Sequence, residues 1–116
     1  MAVQISETVA HLRRRAAERS SRAADRRAAL EGLLPTAREI LRQRGAQAVY
    51  AFGSIVTGET TPRSDLDLAT HGLPREAYFD ALGELMRVLP CDVDLVRLEE
   101  ATESLRERVR AEGREL

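Results

Sequence analysis

Residues 53–68, with the sequence GSIVTGETTPRSDLDL, carry the pattern that decides the fold of this chain. They follow an apolar run, AVYAF at 48–52, and they end with DLDL at 65–68, where polar and apolar residues alternate. Such alternation is typical of a strand with one buried face. The stretch therefore predicts a strand over 48–52, a tight turn at Gly53 and Ser54, a loop, and a second strand over 65–68.

The second predicted strand carries two acidic residues, Asp65 and Asp67. Because they are two positions apart, both side chains point to the same face of the strand. Two like charges held side by side repel, and a cation between them removes that cost. Carboxylate oxygens suit Mg²⁺, which proteins bind through one or two carboxylates together with phosphate oxygens and water. The pattern therefore predicts a metal site on this strand.

A third predicted strand, residues 91–96, repeats the arrangement with Asp92 and Asp94. If it lies beside the second strand, three or four carboxylates converge, as a two-metal phosphoryl-transfer site requires. Asp65, Asp67 and Asp94 are therefore candidates for binding metal. Whether Asp92 joins them stays open at this point.

The turn after the first strand provides the other half of the predicted site. Gly53 allows the backbone to turn tightly and to approach a ligand. A helical turn over 54–57 would direct free N–H groups towards a phosphate, and the Ser54 hydroxyl adds a donor. Ser64, at the far end of the loop, is a further candidate, although serine also shapes turns through local hydrogen bonds. The predicted nucleotide-binding residues are Gly53, Ser54 and Ser64.

In this order and spacing, the motifs resemble the signature of the polymerase-beta-like nucleotidyltransferases, and VDLV at 93–96 is similar to their third acidic motif. The similarity covers residues 49–96, and the short chain resembles the minimal nucleotidyltransferases of prokaryotes. The sequence departs from the pattern at Thr57, where many members carry Arg.

The resemblance also implies roles for single residues. Gly53 and Ser54 would hold the triphosphate of ATP. Asp65 and Asp67 would bind two Mg²⁺ ions, while Asp94 would bind one of them and help to activate an attacking hydroxyl.

The resemblance implies a partner as well, since minimal members commonly pair with a HEPN ribonuclease toxin. The implied function is that of an antitoxin that transfers AMP from ATP to a tyrosine of the toxin. Two alternatives stay open. The chain could be a catalytically weak nucleotide-binding module that neutralises the toxin by steric binding, or a small-molecule (antibiotic) adenylyltransferase.

The expected fold class is α/β (α+β), with a small mixed sheet backed by helices and an N-terminal helical arm. We predict the arm over residues 1–30 and the nucleotidyltransferase domain over 31–116. Gly32 and Pro35 are expected to break or kink the first helix. A second helix would end at Gly45.

The core faces of the predicted helices follow from the spacing of apolar residues. The helix that begins at Pro35 would bury Ala37, Ile40 and Leu41. A helix over 74–89 is expected to bury four residues, Phe79, Leu82, Leu85 and Met86. A polar helix is predicted over 99–112.

Composition limits the classes of function. All 18 positive residues are Arg, so a phosphate loop that needs a lysine is excluded. The net charge of −1 and the four aromatic residues make nucleic acid an unlikely ligand. No apolar run approaches the roughly 20 residues of a membrane span. A cytoplasmic protein without membrane contact is therefore expected.

Charge is nonetheless uneven along the chain. Residues 1–30 contain seven Arg and three acidic residues, whereas residues 31–116 contain eleven Arg and sixteen acidic residues. A basic arm next to an acidic domain predicts an interaction element that contacts the partner or self-associates with a second copy. The alternatives are a solvated helix face and, less favoured, a nucleic-acid contact.

Overall fold

The protein, described here by a computed structural model over residues 2–116 with side chains from Glu7 onwards, contains one long helix followed by alternating strands and short helices. The elements in chain order are α1 (Ala2–Gln43), β1 (Ala48–Phe52), α2 (Ser54–Thr57), β2 (Leu66–His71), α3 (Tyr78–Val88), β3 (Val93–Arg97), α4 (Glu103–Glu112) and β4 (Arg114–Glu115). Single 3₁₀ turns at Arg75–Ala77 and Leu98–Glu100 precede α3 and follow β3.

The four strands form one mixed sheet in the order β3-β2-β1-β4. β2 runs parallel to β3 and antiparallel to β1, and β4 runs antiparallel to β1. The prediction of a small mixed sheet backed by helices is confirmed. β4 was not predicted, because its two exposed polar residues carry no strand pattern.

The two faces of the sheet bury different clusters. Leu66 and Leu68 of β2 pack with Leu41 of α1 and Leu85 of α3 in the main core. Residues at odd positions of β2 point to the other face, where Ala69 packs with Val109 of α4 in a smaller cluster. Asp67 therefore lies on the α4 side of the sheet, near the N-terminus of β2.

Helix α1 continues through Gly32 and Pro35, so the prediction of two separate helices is wrong. Proline removes one backbone hydrogen bond and crowds the preceding turn, but Pro35 lies on the exposed side of α1. On the opposite side, Leu30, Leu34 and Leu41 are buried on both sides of the proline. Burial of this continuous apolar face outweighs the local cost of the proline. The predicted burial of Ala37, Ile40 and Leu41 is confirmed.

The predicted buried face of α3 is confirmed for Leu85, and Leu82 is partly buried against the same core. The prediction is wrong for Phe79 and Met86, which are 79% and 54% exposed. The 3₁₀ turn ahead of α3 places Tyr78 against the core instead, and its hydroxyl donates to a backbone carbonyl of β3 at 2.6 Å. The buried stripe then continues through Ala81 to Leu85. Within residues 2–116, no helix is long and apolar enough to span a membrane.

Candidate functional site

Gly53 occupies a backbone conformation that only glycine adopts readily, with φ of +74° and ψ of −149°. A Cβ atom at this position would collide with the Oδ2 atom of Asp67. The turn after β1 and the acidic residue of β2 are therefore in direct contact. This contact explains why the residue between β1 and α2 is a glycine.

Some backbone N–H groups of the helical turn α2 already donate hydrogen bonds within the turn. The N–H groups of Val56 and Thr57 both donate to the Gly53 carbonyl at 3.1 Å. The predicted phosphate cradle is therefore limited to the N–H groups of Ser54 and Ile55 and to the Ser54 hydroxyl. The turn is further held by Thr60, whose hydroxyl donates to the Ser54 carbonyl at 3.2 Å.

Ser64 makes the contacts of a residue that shapes the loop. Its hydroxyl accepts a hydrogen bond from the Thr61 N–H at 2.8 Å. Its carbonyl accepts one from the Nε–H of Arg26 on α1 at 2.9 Å. Since the hydroxyl already has a local partner, a contact between Ser64 and a nucleotide stays a prediction.

The parallel pairing of β2 and β3 places Asp67 directly beside Asp94. Asp65 precedes β2 by one residue, and its charge acts on Asp67. Asp92 contributes its backbone carbonyl, which accepts from the Leu66 N–H at 3.1 Å. The strand register thus brings Asp67 and Asp94 together at one end of the sheet, next to the Gly53 turn.

Asp67 is the electrostatically unusual member of this cluster. Its pKa is raised from 3.8 to about 6, mainly by burial and in addition by the negative charges of Asp94 and Asp65. Arg108 of α4 acts in the opposite direction. Arg108 does not offset the burial and the two negative charges, so the pKa of this half-buried carboxylate stays raised, as expected at the position of a cation.

The carboxylates do not form a closed cage. Among the side chains that the structure describes, no three His, Cys, Asp or Glu residues are grouped closely enough to hold a metal ion. Mg²⁺ usually keeps several waters and takes one or two carboxylates plus substrate phosphates. The hard oxygens of Asp67 and Asp94 fit that requirement, and Asp65 lies close enough for its charge to act on Asp67.

A family model described as "Polymerase beta, Nucleotidyltransferase" matches residues 36–116. The chain belongs to this nucleotidyltransferase family. A solved structure described as a minimal nucleotidyltransferase is 30% identical, with a TM-score of 0.63, over 75% of this chain and 95% of that one. No curated protein matches.

Two toxin–antitoxin structures are also similar to this nucleotidyltransferase. A chain of a toxin–antitoxin complex with AMP-PNP is 32% identical, with a TM-score of 0.59, over 66% of both chains. A chain of the complex between the tri-AMPylated Shewanella oneidensis HEPN toxin and an MNT antitoxin is 27% identical, with a TM-score of 0.58, over 74% of this chain and 70% of that one. This chain thus spans about two thirds of the length of the toxin–antitoxin chains that it matches.

Two arginines near the site were not identified from the sequence. Arg108 of α4 acts on the charge of Asp67, and Arg26 of α1 bonds to the loop at Ser64. Each arginine is about 40 positions from its partner along the chain. Each also lies in a helix with several other arginines, and the sequence does not show which of them reaches the site. Only the packing of α1 and α4 against the sheet distinguishes them.

The raised pKa of Asp67 predicts how stability depends on pH when no metal is present. The folded state binds a proton at this carboxyl up to about pH 6, whereas the unfolded state releases it near 3.8. The free energy of unfolding should therefore fall as pH rises from about 4 to 6 and stay low above that. Asp67→Asn should abolish this loss and be more stable than the wild type at pH 8 by about 1–2 kcal/mol, a value reduced for solvent screening of the half-exposed group.

Thermal melts in EDTA at pH 4 and pH 8 measure this difference. Asp92→Asn removes an exposed carboxylate from the same sheet edge and serves as the matched control. Mg²⁺ should raise the melting temperature of the wild type at pH 8 but not that of Asp67→Asn. Equal pH dependence in the wild type and Asp67→Asn would contradict the assignment.

Proposed function

We propose that this protein is a Mg²⁺-dependent nucleotidyltransferase that acts as an antitoxin by transferring AMP from ATP to a tyrosine of a partner HEPN ribonuclease toxin. The observation that carries the proposal is the pairing of Asp67 with Asp94 in register, in contact with the Gly53 turn. Similar structures that contain AMP-PNP or an AMPylated HEPN toxin support the nucleotide and the partner.

The positions of the residues support the following proposed roles. Asp65, Asp67 and Asp94 would hold Mg²⁺, which neutralises phosphate charge and favours the attacking oxygen in its deprotonated form. The N–H groups at Ser54 and Ile55 would donate to phosphate oxygens.

Asp94 is exposed, whereas Asp67 is half-buried. An incoming acceptor can therefore reach Asp94, which would help to take the proton from the tyrosine hydroxyl. The hydroxyl oxygen then forms a bond to the α-phosphorus, the bond from that phosphorus to the bridging oxygen breaks, and pyrophosphate leaves.

The proposal predicts transfer of label from ATP to the HEPN protein encoded beside this chain. Incubation with Mg²⁺ and ATP labelled at the α-phosphate should label the toxin, and ATP labelled at the γ-phosphate should not, because pyrophosphate leaves. Mass spectrometry should locate AMP on a tyrosine. Replacement of that tyrosine by Phe should remove the label.

Steric neutralisation is a second candidate, favoured by the exposed surface of the arm. The side chains of residues 7–22 on α1 are all exposed, so they offer contact area without any chemistry. We propose residues 1–30 as the element that contacts the partner or a second copy of the chain. A toxin that is inhibited while it stays unlabelled in the experiment above would establish this function instead of transfer.

A further inference from the structure

One face of α1 changes character along its length. Between Leu30 and Leu41 this face is apolar and packs into the core. Towards the N-terminus, at spacings of three and four residues, the same face carries four arginines, Arg15, Arg19, Arg22 and Arg26. At about 100° per residue these four side chains lie within an arc of about 60°. The side of α1 that meets the domain therefore becomes positively charged where the helix passes the loop between α2 and β2.

Arg26 fixes the helix to this loop through its hydrogen bond to the Ser64 carbonyl at 2.9 Å. Arg22 lies one turn further along α1, a rise of about 6 Å. The loop is also tied to the Gly53 turn, because the Thr60 hydroxyl donates to the Ser54 carbonyl. The charged face of α1 is thus held beside the proposed nucleotide site by contacts at both ends of the loop.

An open cavity of about 460 Å³ lies between the helix and the loop, lined by Arg19, Arg22, Thr61, Pro62 and Arg63. This volume is in the range of small-molecule sites, roughly 300–1,000 Å³. The lining contains three guanidinium groups and no carboxylate. Among the described side chains, none of these three arginines forms an ion pair: no carboxylate oxygen lies within 4.0 Å of their guanidinium nitrogens.

Three like charges around one cavity repel each other unless an anion lies between them. Guanidinium groups bind phosphate oxygens through paired hydrogen bonds, which makes arginine well suited to phosphate recognition. A carboxylate ligand would neutralise only one of the three charges. A group with two or more phosphates carries enough charge and enough acceptor oxygens for all three.

We propose that this cavity binds an oligophosphate group, separately from the carboxylate cluster and without Mg²⁺. The group could come from free pyrophosphate or from the phosphate tail of a nucleotide. The inference rests on the proposed function only for the source of the ligand, since the transfer reaction consumes ATP and releases pyrophosphate.

Calorimetric titration with pyrophosphate in EDTA tests the site in the full chain. The double variant Arg22→Gln/Arg63→Gln should bind at least about tenfold more weakly than the wild type. Both side chains are exposed, and circular dichroism should show unchanged helix content. Arg13→Gln is the matched control, because Arg13 is exposed on the opposite side of the same helix, and its affinity should stay within about twofold.

Further ligands and variants separate the sources and the rival explanations. Asp65→Asn/Asp67→Asn should bind pyrophosphate as well as the wild type, whereas it should lose the Mg²⁺-dependent transfer, so either proposal can fail alone. A higher affinity for ATP than for pyrophosphate identifies the nucleotide tail as the source, and the reverse identifies free pyrophosphate. An equal loss in Arg13→Gln overturns the site in favour of diffuse charge. Arginine-dependent binding of a short single-stranded RNA, with none of pyrophosphate, overturns it as well.

Discussion

Replacement of Asp67 by Asn is expected to lower the rate of AMP transfer by about 10³-fold while the protein stays folded. The substitution keeps the size of the side chain and removes the charge that pairs in register with Asp94. Loss of metal-based charge stabilisation costs several kcal/mol in the transition state, and each 1.4 kcal/mol is about tenfold in rate. Single-turnover measurements with excess enzyme and saturating Mg²⁺ and ATP report this step directly.

Asp92→Asn is the control for this measurement, since it removes the same charge two residues from Asp94. Asp92 reaches β2 through its backbone carbonyl, which the substitution preserves. Its transfer rate should stay within about threefold of the wild type, because an exposed charge contributes little. Comparable losses in both variants would mean that Asp92 belongs to the metal site. Full activity of Asp67→Asn would refute the assignment of the site.

The second large effect is expected for Gly53→Ala. The added Cβ atom meets the Asp67 carboxylate, and the backbone at φ +74° and ψ −149° disfavours any other residue. Strain of this kind costs about 1–3 kcal/mol of stability. Displacement of a reacting group by about 1 Å can lower a rate about 10²-fold, so transfer should fall at least that far.

Two companion variants separate collision from backbone strain. Gly58→Ala introduces a Cβ at φ +83° with no atom within 4 Å, so it should lose about 1 kcal/mol of stability and keep its transfer activity. In an Asp67→Ala background the colliding oxygen is absent. Gly53→Ala should therefore destabilise that background less than it destabilises the wild type. Equal costs in both backgrounds would exclude the collision as the cause.

The sequence was sufficient for the parts of the fold that depend on local pattern. The alternation around Asp65 and Asp67 and the run before Gly53 indicated β2 and β1, and the residues of β3 showed the same period. The predicted neighbourhood of Asp67 and Asp94 followed from the assumption that the two strands are adjacent. The parallel register between β2 and β3 confirms that assumption.

Features that depend on distant contacts were missed for physical reasons. β4 is only two residues long and exists because Arg114 and Glu115 pair with β1, more than 60 positions away. The inward position of Tyr78 depends on a carbonyl of β3, and apolar spacing alone favoured Phe79. Helix α1 continues through Pro35 because apolar residues before and after it are buried in the core. Rules based on local sequence alone do not include that burial.

The register between β2 and β3 has a consequence for how this chain can vary. A slip of one residue would move Asp94 away from Asp67 and turn Leu95 out of the core, because successive side chains on a strand alternate between faces. The pairing of the two carboxylates and the packing of this edge therefore depend on one alignment, so a shift in register changes both. Insertions can accumulate in the loop between α3 and β3, where they shift neither strand against the other. Within either strand, an inserted residue shifts the register on one side of the insertion and so disturbs the carboxylate pairing or the core packing.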